Sequence, residues 1–360
     1  MKKIHFTPGP SEVYFTVEEH VKNAFKHQIP SITHRGSEFI SLYRETVENI
    51  RTLLNLPDNF QIAFTTSATE VWERMSENLI EEHSYHLVNG DFSGKFHKAA
   101  KAIGKNAIAN MAAPGTCANV NELTIPDEVE LIGLAQNETS TGAALPLEDI
   151  YTLRKNNPEK LLVVDAVSSL PVIDLDFSQV DSVYCSVQKC FGLPAGLGVW
   201  IYNEKCLEKA GQLKVKGKYH DTYHSLLNLE KFTKKHQTPC TPNVLGIYLL
   251  GKVVGDMLHK GIDVIRRESN YKSALLYNLF ESHDQLNPFV SEKRFRSLTV
   301  GVAEVKGDSS KLIKRLSDQG METGSGYGEF KNSHIRIANF PTHSKEQIEM
   351  LVDTVSSSEF

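Results

Sequence analysis

The sequence predicts an α/β protein: a mostly parallel sheet covered by helices on both faces, plus a smaller C-terminal α+β domain. Three observations predict it. The chain has 360 residues, 40% hydrophobic and 23% charged, enough for a large core and more than one domain. Between residues 61 and 202, short apolar runs alternate with helical stretches, and the runs are apolar at consecutive positions, as in strands buried on both faces. Beyond about residue 255 that alternation stops and a different mixture of strands and helices begins.

In chain order, the first forty residues are rich in turns, with Phe6-Thr7-Pro8-Gly9-Pro10 and Ile29-Pro30-Ser31, and read as a segment wrapping over something else. From Ser37, helical spacing brings Phe39, Leu42, Val47, Ile50 and Leu53 to one face. Gln61–Phe64 reads as a strand and Thr69–Ile80 as a helix. His86–Val88 and Phe96–Ile103 form the next such pair, and Leu131–Ala135 and Leu147–Lys155 the third. Leu161–Val164, Ser182–Val187 and Gly198–Tyr202 read as further strands. A long helix over Val244–Gly261 leads into the second region. There, Leu298–Val305 and His334–Ala338 read as strands, and Ser309–Gln319 and Lys345–Ser356 as helices. The expected division is residues 1–255, an N-terminal segment with the large domain, and residues 256–360, the small domain.

The formal net charge is -5 with no basic run, which argues against nucleic acid or an anionic membrane as partner. No stretch approaches the length of a membrane-spanning helix, and no apolar core of a signal peptide follows the first lysines. Five scattered cysteines with no CxxC pair argue against a disulfide framework or zinc site and fit a reducing cytoplasm.

The chemistry centres on two strand ends. Leu161-Leu162-Val163-Val164 runs into Asp165, and Val183–Gln188 runs into Lys189. Ligands of open parallel sheets bind beyond the carboxyl ends of strands, so an acid and an amine there face one crevice. Pyridoxal 5′-phosphate needs both: an amine for its aldehyde and a carboxylate for its ring nitrogen. A structural salt bridge is the competing reading of this pair. The glycine-rich turn Phe191–Gly198 suits backbone packed behind a bound ring. Thr65–Glu70 opens a helix after a strand. Ser67 and Glu70 have capping-box spacing, and a helix N-terminus suits a phosphate as well as an ordinary cap. Asn137-Glu138-Thr139 follows another strand end. Thr33-His34-Arg35 and Arg336 offer cations for anionic substrates, arginine being able to bind a carboxylate with two hydrogen bonds; structural ion pairs are the alternative.

Taken together, the chain resembles the fold-type-I, class V pyridoxal-phosphate aminotransferases, and among them the phosphoserine aminotransferase family. The resemblance runs from Phe6-x-Pro8-Gly9-Pro10 through His34–Phe39, Asn137-Glu138-Thr139, Asp165-x-x-Ser168-Ser169 and Gln188-Lys189. It continues through Thr238-Pro239-x-Thr241 to Arg336-x-x-Asn339. It implies that Lys189 holds the cofactor as a Schiff base and moves protons, that Asp165 bonds the ring nitrogen, and that Thr139 bonds the phenolic oxygen. Phe92 would stack on the ring, and Ala68, Thr69 and Gln188 would hold the phosphate, joined by Gln237 and Thr238 of a second subunit. Arg336 would bind the α-carboxylate. His34 and Arg35, also from the partner, would bind the distal anion, so a homodimer is expected. The implied reaction is 3-phosphohydroxypyruvate with L-glutamate giving O-phospho-L-serine and 2-oxoglutarate, in serine biosynthesis.

Four positions depart from the family pattern: Phe92 for a usual tryptophan, Gln237 for asparagine, Cys240 for proline, and Thr69 where some members carry arginine. Another class V enzyme, an alanine–glyoxylate or serine–pyruvate aminotransferase, is the first alternative, and Asp165-Ala166-Val167-Ser168-Ser169 also reads like that branch. A cysteine desulfurase lacks an evident loop cysteine. A dinucleotide enzyme or a binding protein without the cofactor is the reading from another class; the glycine stretch after Lys189 leads to a strand instead of a helix and fails its fingerprint.

Overall fold

The computed structural model describes residues 3–357. The outermost residues of both expected domains, 1–2 and 358–360, lie outside that range. In chain order the strands are β1 (Ile4–Phe6), β2 (Phe60–Thr65), β3 (His83–Val88), β4 (Asn106–Met111), β5 (Leu131–Ala135), β6 (Asn137–Glu138) and β7 (Ala143–Ala144). They continue with β8 (Leu161–Asp165), β9 (Ser182–Ser186), β10 (Gly198–Asn203), β11 (Leu286–Pro288), β12 (Val300–Val305), β13 (Met321–Ser325) and β14 (His334–Ala338).

Seven strands form the larger sheet in the order β2-β10-β9-β8-β5-β3-β4. β9, β8, β5, β3 and β4 run parallel; β10 is antiparallel to both β9 and β2. Successive side chains of a strand point to opposite faces, and here both faces are packed. Leu162 and Val164 of β8 enter one core with Ile62, Val183 and Ile201. Leu161 and Val163 enter the other with Ala63, Tyr184 and Trp200. Helices Ser37–Leu54 and Val244–Lys260 supply Tyr43, Ile50, Ile247 and Val254 to the first core. Helices Ala68–Asn78 and Asp91–Ala102 supply Val71, Trp72, Met75 and Phe96 to the second. This is the expected α/β architecture.

The smaller sheet has the order β1-β13-β14-β12-β11. Its core, with Phe6, Phe280, Leu316, Ile335 and Leu351, lies under helices Ile262–Ser282, Ser309–Asp318 and Lys345–Ser356. Ile4–Phe6, grouped by sequence with residues 1–255, pairs in parallel with Met321–Thr323 of this sheet. The chain then crosses to the larger sheet's edge: Ser11 N–H donates to Gln188 O at 3.2 Å and Tyr14 N–H to Gly192 O at 2.7 Å. The turn-rich N-terminal segment therefore covers the Lys189 turn. Among the described residues, no helix is long and apolar enough to cross a membrane.

Candidate active site

Five strand ends place the site. β8 ends on Asp165; Lys189 follows β9 by three residues; Thr139 and Phe92 follow β5 and β3 by four, and Ala68 follows β2 by three. All of these ends point the same way, so the side chains gather at one edge of the sheet. The smaller sheet contributes Arg336 from β14 and Tyr327 from the turn after β13. Together they line a cavity of about 180 Å³ with Pro8, Gly9, Thr69, Trp72, Asn137, Ser186 and Gln188.

Lys189 is buried, and Nζ donates to Thr139 Oγ1 at 2.9 Å. Burial pushes its amine below the usual lysine range, an effect opposed by the nearby charges of Asp165 and Glu138. A lowered amine is a better nucleophile at neutral pH. Its position is guarded by Gly9, where φ is +132° and an added Cβ would lie 2.8 Å from Lys189 Cε. Only glycine fits there without displacing the lysine stem.

Burial raises Asp165 to about 6, against the hydrogen bond from Val167 N–H at 2.9 Å and the attraction of Lys189. Behind it, Trp72 Nε1 donates to the Tyr184 hydroxyl at 2.7 Å, and Tyr184 pairs with Asp165 across β8 and β9. Thr139 is set by Ser168. Thr139 Oγ1 lies 2.9 Å from Ser168 Oγ, and Ser168 Oγ donates to Asn137 O at 3.0 Å.

Phe92 presents its ring 5.1 Å from Lys189 Nζ. It stands in the first turn of helix Asp91–Ala102, whose N-terminus is held by the buried carboxylate of Glu138. That carboxylate accepts from Phe92 N–H at 3.3 Å, Ser93 N–H at 3.0 Å and the Ser93 hydroxyl at 2.9 Å. At Gly90 a Cβ would sit 2.3 Å from Glu138 Cγ, so the close approach of this carboxylate needs glycine. Arg336 donates through Nε to Ser325 O at 2.7 Å and through Nη1 to Thr139 O at 3.2 Å, with the Tyr327 ring 5.2 Å away. Burial lowers its guanidinium from the usual value, against Tyr327 and Glu138, and it stays a cation.

At the opposite end of the cavity, helix Ala68–Asn78 points its N-terminus inward. The expected capping box forms in part. Ser67 Oγ accepts from Glu70 N–H at 3.2 Å, but the Glu70 carboxylate accepts from Thr66 N–H and the Thr66 hydroxyl, at 2.8 and 2.6 Å. Ala68 N–H donates to Ser186 Oγ at 2.9 Å. Thr69 lines the cavity, and a first-turn N–H has no acceptor within its own helix.

Eight of the twelve residues singled out by sequence thus share this cavity: Ala68, Thr69, Phe92, Thr139, Asp165, Gln188, Lys189 and Arg336. Arg35, Gln237 and Thr238 gather in a separate cluster, His34 being the residue before Arg35. Arg35 donates to Gln237 Oε1 at 3.3 Å, Thr238 O at 2.6 Å and Pro239 O at 3.0 Å, and stacks 4.8 Å over Phe232. Sequence reading missed Trp72 and Tyr327, and the parts that Ser168 plays in setting Thr139 and Glu138 in anchoring helix Asp91–Ala102. Trp72, one helical turn beyond Ala68, could have been found from the helix register; Tyr327 has no local signal beyond Gly326-Tyr327-Gly328.

Residues 7–334 match the model of the family described as "Aminotransferase class-V". The chain belongs to the class-V aminotransferases. It is therefore a transaminase of α/β fold. Its backbone superposes on a phosphoserine aminotransferase from Cytophaga hutchinsonii with a TM-score of 0.98, at 44% identity and 99% coverage of both chains. A phosphoserine aminotransferase of Rhodococcus opacus is 28% identical over 330 residues, 90% of this chain and 86% of its own. An aspartate aminotransferase from Thermus thermophilus has a TM-score of 0.86 at 21% identity, covering 98% of both chains, a likeness of fold alone.

Proposed function

We propose that this transaminase binds pyridoxal 5′-phosphate through Lys189 and exchanges amino groups between L-glutamate and 3-phosphohydroxypyruvate, giving O-phospho-L-serine and 2-oxoglutarate. The observation that carries the cofactor assignment is the buried Lys189 amine sharing one cavity with Asp165, a ring partner and a helix N-terminus. The donor set fits the group: an amine for its aldehyde, Asp165 for its ring nitrogen, Thr139 for its phenolic oxygen and Phe92 for its ring face. Gln188, Ala68 and Thr69 stand at the phosphate end. When bound, the cofactor supplies an electron sink for the bonds at the substrate's Cα.

The chain's own residues supply the rest. Asp165, ionised above about pH 6, would hold a proton on the ring nitrogen. Lys189 Nζ, lowered by burial, would take the proton from the substrate Cα and serve as the acid–base group of the 1,3-proton shift. Thr139, fixed through Ser168, keeps Nζ oriented. Arg336 has its Nε and Nη1 anchored on backbone carbonyls and offers its remaining N–H groups to the α-carboxylate.

The distal anion alternates between a carboxylate and a phosphate. A His34–Arg35 pair from a partner subunit would accept either, in keeping with Arg35 lying against Gln237 and Thr238 and outside its own chain's cavity. A homodimer with shared sites, in the cytoplasm, follows from this reading. The phosphoserine preference rests on the 44% identical neighbour. The visible absorbance of the purified holoenzyme tests it. Phosphoserine and glutamate are each expected to bleach the cofactor band within one turnover, and alanine to leave it. Bleaching by alanine or serine with no response to phosphoserine would move the enzyme to the alanine–glyoxylate branch.

A further inference from the structure

Beside the phosphate end of the cavity lies a cluster that the transamination site does not use. Cys240 Sγ is 3.2 Å from His224 Nε2, and His224 Nδ1 is 2.8 Å from Glu70 Oε1. The three side chains line a small cavity of about 90 Å³ with Thr66, Thr238 and Pro239, and they are its only titratable members. Burial raises the Glu70 carboxyl, but hydrogen bonds from Thr66 and His224 outweigh it and hold the carboxyl below the usual range. An ionised carboxylate only accepts, so Nδ1 carries the hydrogen on that side and Nε2 is left to take the thiol proton. Nucleophile, base and orienting acid stand within hydrogen-bond reach in sequence.

The loop carrying Cys240 is fixed. Thr238 Oγ1 donates to Cys240 O at 2.7 Å, Tyr223 donates to Pro239 O at 3.0 Å, and Arg35 donates to the carbonyls of both Thr238 and Pro239. The thiol is therefore presented to the imidazole by an ordered backbone. The other four cysteines are buried, and burial pushes their thiols up. The chain so contains its own controls for reactivity.

We propose that Glu70, His224 and Cys240 form an activated-thiol site at which a peroxide oxidises Cys240 to a sulfenic acid. His224 Nε2 takes the thiol proton; the sulfur forms a bond to one peroxide oxygen as the O–O bond breaks. The leaving oxygen takes that proton and departs as water. Sulfur loses two electrons and the peroxide gains them. Because Glu70 belongs to the first turn of the helix at the cofactor's phosphate end, the modification falls against the binding machinery without using any residue that touches the reacting carbon.

The test is made on the purified holoenzyme with hydrogen peroxide and dimedone, read by peptide mass spectrometry, and with iodoacetamide rates across pH. The dimedone adduct is expected on the Cys240 peptide and absent from those of the four buried cysteines. The iodoacetamide rate at pH 7 is expected to fall roughly 10-fold or more in His224→Gln, and its pH profile to change with it. Glu70→Gln should move both in the same direction, and Cys240→Ser should remove the adduct. Labelling of Cys240 no faster than that of the buried cysteines, or rates and midpoints unchanged in both His224→Gln and Glu70→Gln, overturns the proposal. These readouts follow the thiol alone, so their failure is separate from any failure of the transamination reading.

Discussion

Asp165 carries a cost that the cofactor site explains. Its carboxyl has an ordinary value of 3.8 and burial raises it to about 6. Between those values the folded chain holds a proton that the unfolded chain releases, so stability falls as pH rises through that window. Below pH 3.8 the penalty is absent; above about 6 it is complete. At about 1.4 kcal/mol for each pH unit it is worth at most about 3 kcal/mol. Asp165→Asn is therefore expected to unfold at a higher temperature than the parent when both are stripped of cofactor at pH 8. The two should converge at pH 4, and transamination should fall by orders of magnitude. Equal stability at pH 8 would contradict the electrostatic account. Asp165 and Lys189 were legible in the sequence because each ends or closely follows an apolar strand, and strand direction alone sends them to one edge; Arg336 was legible as a charge inside the apolar strand His334–Ala338. Tyr327 was not, because a wall drawn from a distant segment leaves no local pattern.

Helix Asp91–Ala102 shows how one buried group sets an element. Glu138 accepts from two backbone N–H groups and one hydroxyl at its N-terminus and from Ser140 N–H and Oγ, at 3.1 and 2.6 Å. Glu138→Gln halves the acceptors and turns a donor against donors. A loss of about 2–3 kcal/mol is expected, read by thermal unfolding. The cofactor's absorbance should shift as Phe92 loosens. An unchanged unfolding temperature would sink that role. Buried strands such as β5 and β8 were legible because every residue in them is buried. β4 was not: all six of its residues are half-buried or exposed, so no apolar run marks it. Helix Ile262–Ser282 also escaped, since polar residues interrupt its apolar face, and packing on the small sheet decides its structure. β1 has only three residues and exists through pairing with β13, more than three hundred positions away.

At the scale of the molecule, Arg35 and Gln237 lie apart from the Lys189 cavity of their own chain, and the proposed function gives them to the site of a second subunit. In a two-fold dimer each site would combine Lys189 of one chain with Arg35 of the other. Inactive Lys189→Ala and inactive Arg35→Ala chains, mixed and re-associated, are then expected to regain roughly a quarter of parental activity, because half the dimers are hybrids with one intact site. Failure to regain activity despite hybrid formation would place Arg35 outside the shared site. The sequence holds no trace of such a dimer beyond the resemblance, since a surface that a symmetry partner would complete has the composition of any polar loop.

The most direct test of the whole account is the site of the covalent cofactor bond. The holoenzyme is treated with borohydride, digested and analysed by mass spectrometry. The account predicts a pyridoxyl group on the peptide containing Lys189 and on no other lysine; the label on a different lysine, with Lys189 unmodified, would contradict it.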